Sequence, residues 1–109
     1  MIKFESYSDI PKDFTGICKV ADSGNIYHLK DGKRHNENGP AIIYKSGTKY
    51  WYINNMRHRE DGAAVEYANG SKDWYYKDRY YGVNNDFTNE TWIEFIENLK
   101  REEELKIFK

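Results

Sequence analysis

The sequence predicts a mainly β fold with one C-terminal helix: a single-layer antiparallel β-meander of three 23-residue hairpin repeats, capped by an amphipathic α-helix. Three observations predict it. The first is self-similarity at a fixed spacing. Gly39, Tyr44, Gly47, Lys49, Trp51 and Tyr52 recur 23 residues later as Gly62, Tyr67, Gly70, Lys72, Trp74 and Tyr75. A fainter copy upstream carries Gly16, Gly24, Tyr27, Gly32 and His35, the last matching His58. The second is a pair of turn signals in each period, separated by short runs rich in Ile, Val, Tyr, Trp and Thr. The third is a change of pattern after Gly82, where apolar residues fall at helical spacing.

The chain divides into an N-terminal segment (1–15), the repeats (16–82) and a C-terminal helical segment (83–109), all within one domain. The first segment has no long apolar run and reads neither as a signal peptide nor as an anchor. Within the repeats, one turn signal is "DSGN" at 22–25, "KSGT" at 45–48 and "ANGS" at 68–71. Gly takes positive φ there without a Cβ clash, and two-residue hairpin loops are expected at Ser46-Gly47 and Asn69-Gly70. The other signal is "KDGK" at 30–33, "INNM" at 53–56 and "KDRY" at 77–80.

Two-residue loops dictate a register: Ile42 opposite Trp51, and Val65 opposite Trp74. Ile42, Trp51, Val65 and Trp74 then form the expected structural core. Tyr50, Tyr52 and Tyr75 share the opposite face with Glu66 and Asp73, which would be directly opposed. After the repeats, Thr88 or Asn89 can cap a helix with Glu90 in its first turn. Trp92, Phe95, Ile96 and Leu99 follow at i, i+3, i+4 and i+7, and Leu105 and Phe108 are candidates to extend the stripe. Terminal repeats need such a cap.

Charge is nearly balanced, 17 Lys and Arg against 18 Asp and Glu, which argues against a nucleic-acid groove. A single cysteine, Cys18, forms no internal disulfide and no cysteine-cluster metal site, favouring a reducing cytoplasmic setting. No stretch approaches the roughly 18 apolar residues of a membrane helix. Aromatic residues make up 17% of the chain, ten of them tyrosine. Its mean hydropathy is only −0.99, so the limited apolar area is largely aromatic.

The repeat "GPAIIYKSGTKYWYINNMRH" resembles a variant of the MORN repeat, and "DGKRHNENGPA" (31–41) and "MRHREDGAA" (56–64) carry the matching H-R-x-D-G-P-A ending. The resemblance covers residues 16–82. It departs at His28, which stands where the later copies have Trp, at Tyr81, which replaces the histidine, and at Ala63, which replaces Pro40. It implies an antiparallel sheet of hairpins. Because such arrays occur in small phage and bacterial proteins, it also implies a non-enzymatic, phage- or prophage-encoded binding protein that occupies a host protein such as a defence or toxin component. The alternative is a protein that sequesters a small anionic ligand, a nucleotide signal. A remote alternative is a hydrolase.

The residues themselves favour binding over catalysis. There is no Gly-rich phosphate loop, nucleophile elbow, metal-spaced Cys/His set or carboxylate dyad, and no metal or cofactor is expected. His35 and His58 repeat with the period, which fits turn stabilisation better than a single ligand site. Arg34, Arg57 and Arg59 read as an exposed ion-pair ladder with neighbours such as Asp61 and Glu37. The sharper alternative is an Arg/His edge, with Arg57 and Arg59, that holds phosphate or acidic side chains. Tyr50, Tyr52 and Tyr75 are the candidate contact surface for a protein partner, since tyrosine supplies large, rigid contact area. An unprotected edge and face also predict a homodimer.

Overall fold

The computed structural model describes residues 1–107. It is mainly β with a single C-terminal helix. The strands are β1 (Ile2–Phe4), β2 (Gly16–Val20), β3 (Ile26–Lys30), β4 (Lys33–Arg34), β5 (Ile42–Ile43), β6 (Lys49–Tyr50), β7 (Tyr52–Ile53), β8 (Met56–Arg57), β9 (Val65–Glu66), β10 (Lys72–Tyr76) and β11 (Arg79–Val83). Helix α1 spans Asn89–Ile107. Among the described residues, nine strands form one sheet in the order β1-β2-β3-β5-β6-β9-β10-β11, with β4 also on β3, while β7 and β8 make a small ladder of their own. All pairings are antiparallel except β1 on β2, where the N-terminal segment adds an unexpected parallel edge strand.

The sequence period is a structural period. At the far end of each hairpin two successive residues take positive φ: Asp31 and Gly32 (51° and 78°), Asn54 and Asn55 (48° and 66°), Lys77 and Asp78 (50° and 66°). Two left-handed residues in a row make the mirror-image turn whose twist matches a β-hairpin, and Asn and Asp tolerate it best after Gly. The third turn therefore sits at Lys77-Asp78, one residue before the Asp78-Arg79 centre that the dipeptide pattern predicts.

The near-end turns correct the expected register. Ile42 faces Tyr50 rather than Trp51, and Val65 faces Asp73 rather than Trp74. The loops are three residues long, Lys45-Ser46-Gly47 and Ala68-Asn69-Gly70. Tyr44 N–H donates to Thr48 O and Tyr67 N–H to Ser71 O, both at 2.9 Å, closing the hairpins. Gly47 and Gly70, at φ 98° and 90°, are the last loop residues and supply the left-handed step of a bulged turn. The added residue also removes the predicted opposition of Glu66 and Asp73. Glu66 instead pairs with Lys72 on one side and Lys49 on the other, a favourable charge row.

Because side chains alternate along a strand, this register fixes two faces. Tyr27, Ile42, Tyr50, Val65 and Asp73 form one cross-strand row. Ala41, Ile42 and Tyr52 are buried there, with Tyr27, Tyr44 and Tyr50 packed over them. On the other face Trp74 and Tyr76 are buried with Ala63 under Trp92 and Ile96 of α1. Thr88 caps the helix, its Oγ1 accepting from Thr91 N–H at 3.1 Å. Phe95 and Leu99 continue the docked stripe, but Leu105 is exposed and does not extend it. Phe108 lies outside the described residues. The indole N–H groups are satisfied: Trp92 Nε1 donates to Arg59 O (2.8 Å) and Trp74 Nε1 to Asn84 O (2.9 Å).

The helix covers the third repeat and reaches the end of the second at Arg59 and Glu60. The third copy is adapted to receive it at Tyr81, which stands where earlier copies have His, whereas Tyr80, in place of Arg, lies on the opposite face. Tyr81 packs edge-on against Phe95 at 5.1 Å, and Tyr80 against Tyr75 at 5.4 Å.

Candidate functional site

Neighbouring hairpins are joined by a repeated clamp. Arg34 N–H and Nε both donate to Asn55 Oδ1 (2.8 and 3.1 Å), and Arg34 Nη1 donates to Tyr52 Oη (3.1 Å). One period on, Arg57 N–H and Nε donate to Asp78 Oδ1 (3.2 and 2.8 Å), and Nη1 donates to Tyr75 Oη (3.1 Å). Each guanidinium also lies 4.3 Å from the centre of that tyrosine ring. The histidines complete the clamp. Asn54 N–H donates to His35 Nδ1 (3.0 Å) and Lys77 N–H to His58 Nδ1 (2.9 Å). Each imidazole thus accepts from the first residue of the next turn, and each Nε2 faces a carboxylate, Glu37 or Glu60. The N-terminal segment imitates the clamp for the first turn, where Thr15 Oγ1 accepts from Asp31 N–H at 2.8 Å and Phe14 O from Gly32 N–H at 2.9 Å.

The clamps hold a face of tyrosines that no helix covers. Tyr7 packs on Tyr27 (ring centres 5.0 Å apart), Tyr44 on Tyr50 (5.4 Å), Tyr50 on Tyr52 (6.0 Å) and Tyr50 on Tyr67 (6.4 Å). Tyr52 is buried, a floor rather than a contact group, while Tyr27, Tyr44, Tyr50, Tyr67 and Tyr75 are half-buried. Tyr7 and Tyr80 are each half exposed at the two ends. Tyr44, Tyr52 and Tyr67 are held neutral. Burial raises Tyr44, reinforced by the neighbouring tyrosines and opposed by Arg34. Burial likewise raises Tyr52 against the pull of Arg34 and Arg57. Tyr67 is raised well beyond its ordinary range, first by its 2.6 Å hydrogen bond to Asp73 and then by burial. At these three positions the face presents fixed rings and neutral hydroxyls.

The opposite face carries a second feature over the middle repeat. An open cleft of about 890 Å³ lies between residues 36–40 and Trp51, Ile53, His58, Arg59, Glu60 and Asp61. Trp51 is half-buried, not core, and Arg59 lies 3.9 Å over its ring. Arg59 is anchored by Asp61 (2.8 Å), Glu66 (2.7 Å) and Ala63 O (3.0 Å). It is not part of an exposed ladder, and its charge is already met. His28, at the matching position of the first repeat, has a buried Nδ1 that meets no partner among the described residues.

Structure thus separates residues that the sequence reading grouped. Arg57 sits with Tyr75 on the tyrosine face, and Arg59 with Trp51 on the other. His35 and His58 are turn clamps. Ile42, Val65 and Trp74 are buried, and Trp51 is not. Tyr44, Tyr67, Tyr27 and Tyr7 join the site although the sequence reading did not place them on the contact face. Tyr44 was legible as the twin of Tyr67; Tyr7, brought in by the N-terminal segment, had no local signal. Among the described residues no group of three or more His, Cys, Asp or Glu could hold a metal ion, and no helix is long and apolar enough to cross a membrane. Compared with protein-family models, curated proteins and solved structures, the chain matches none.

Proposed function

We propose that this chain is a non-catalytic binding module whose tyrosine face takes a protein partner. The observation that carries the reading is the set of half-buried tyrosines on the face opposite α1, with Tyr50 packed edge-on against Tyr44 and Tyr67 and with Arg34 and Arg57 clamped over Tyr52 and Tyr75. Rigid tyrosines lose little side-chain entropy on binding and suit interface cores. The MORN-like repeat supports a phage- or prophage-encoded protein occupying a host defence or toxin component. A second copy could use the same face, so light scattering belongs beside any binding measurement.

The test is affinity capture from host lysate with the full chain and with Tyr50→Ala and Tyr67→Ala. A partner held by the unaltered chain and released by both variants, with melting shown to be cooperative, supports the reading. Equal capture by all three overturns it. A second reading, sequestration of a small anionic ligand, is favoured by one observation only, the environment of Arg34.

A further inference from the structure

The repeats act as controls for one another. In the second clamp Arg57 meets a carboxylate, Asp78, and nearby Tyr67 donates to another, Asp73. One period earlier the residues are Arg34 and Tyr44, but the positions of the two aspartates hold Asn55 and Tyr50. Asn55 preserves the turn and the hydrogen bond to Arg34 without its charge. Tyr50 packs against the Tyr44 ring and offers no carboxylate. Among the described residues Arg34 has no acidic partner, whereas Arg57 and Arg59 each have one or more.

The first copy is also where the face is concave. Tyr7, Tyr27, Gly32, Arg34, Tyr44 and Asn55 line most of a pocket of about 350 Å³, with Ile42 at its floor. Tyr7 is brought over Tyr27 by the 3-10 turn Tyr7–Asp9, a wall that the later repeats do not have. A guanidinium fork has five donors. Arg34 spends Nε and one Nη1 bond on Asn55 and Tyr52, which leaves donors unspent on a side chain that lines the pocket beside Tyr7, Tyr27 and Tyr44. Planar, charge-assisted bonding of this kind selects carboxylate and phosphate groups.

We propose that the Arg34–Tyr44 pocket is an oxyanion site, taking from outside the chain the negative group that Asp78 and Asp73 supply internally one repeat later. The shared chemistry is a planar or tetrahedral oxyanion. Its two sources are the carboxylate of an acidic side chain and the phosphate of a small ester. The site rests on the tyrosine face being the binding surface, and it would anchor an acidic group at one end of that face.

The test titrates the isotope-labelled full chain with acetate and, separately, methyl phosphate. Chloride holds ionic strength constant, so that general screening is the same throughout. The readouts are the Arg34 Nε–H signal and the ring signals of Tyr7, Tyr27 and Tyr44. A saturable shift at these groups with either anion is expected, and the tighter anion identifies the source. Asn55→Asp places the missing carboxylate where Asp78 stands and should weaken binding at least tenfold while keeping a cooperative melt. Arg34→Gln should do the same, and Arg101→Gln, at an exposed arginine of α1 outside the clamps, should leave the titration unchanged. No saturable shift with either anion overturns the proposal, as does equal binding by Asn55→Asp. Because the titration needs no protein partner, this site and the partner-binding reading can fail separately.

Discussion

At the scale of single residues, the left-handed turn positions differ in what surrounds them. A Cβ on Gly32 (φ 78°) would lie 1.7 Å from Lys12 O, because the N-terminal segment crosses directly over the first turn. Gly70 (φ 90°) has nothing within 4 Å. Gly32→Ala should therefore cost roughly 2–4 kcal/mol, combining backbone strain with a main-chain clash. Gly70→Ala should cost only about 1–2 kcal/mol of strain. Urea midpoints of the two variants check the difference, and equal losses would contradict the crossing of the N-terminal segment. His35 matters at the same scale for a different reason. It is buried, and its Nδ1 is the acceptor for Asn54 N–H. His35→Ala leaves that donor unpaired, at a cost of about 1–3 kcal/mol. Hydrogen exchange should quicken at Asn54 before it changes in the strands.

At the scale of elements, the two equivalent tryptophans have different jobs. Trp74 is fully buried against Trp92 and Phe87, whereas Trp51 is half-buried under Arg59. Trp74→Ala should cost about 3–5 kcal/mol, the range for a large core aromatic. Trp51→Ala should cost less, about 1–2 kcal/mol from partial burial and the lost cation–π contact. Thermal melts decide whether the order holds. The clamp between hairpins also gives a pH dependence. The hydrogen bond from Arg57 holds the Asp78 carboxyl below its ordinary 3.8, against a smaller upward push from burial. A carboxylate lowered on folding contributes stability that is complete above its unfolded value and is lost as pH falls through the folded value. Asp78 is 45% exposed, so solvent screens the pair and its contribution is about 0–1 kcal/mol. Asp78→Asn, a residue that the equivalent turn already accepts at Asn55, should leave neutral stability nearly unchanged. It should lose less stability than the unaltered chain between pH 5 and pH 2, as read from urea midpoints at each pH.

At the scale of the whole molecule, the chain is flat and elongated, 49 × 34 × 18 Å, and each hairpin touches mainly its neighbours. Stability in such an array is a sum of local units and their interfaces. The helix supplies the cover for one end, so Trp92→Ala should act locally before it acts globally. Amide protection should fall first in β10 and β11 and last in β2 and β3. Uniform loss across the sheet would mean that the repeats unfold as one block.

The sequence alone determined the period, the place of nearly every turn, and the amphipathic helix with its cap at Thr88 or Asn89. These are local properties: Gly, Asn and Asp permit positive φ, and apolar spacing marks a helical stripe. Even the Arg34–Arg57 and His35–His58 equivalences could be read from the spacing. Only the tertiary structure decided which face each side chain occupies. A Gly-containing turn can close over two residues or three, and the sequence tolerates both. Since strand side chains alternate with period two, that one residue moves Trp51 from the side of Ile42 to the opposite side and puts Tyr50 in its place. The crossing of the N-terminal segment was equally illegible, because what holds it is a backbone contact at Gly32 and a parallel edge pairing, neither of which leaves a periodic trace. Both outcomes depend on which distant surfaces can be buried together, a property of the assembled sheet and not of any one segment.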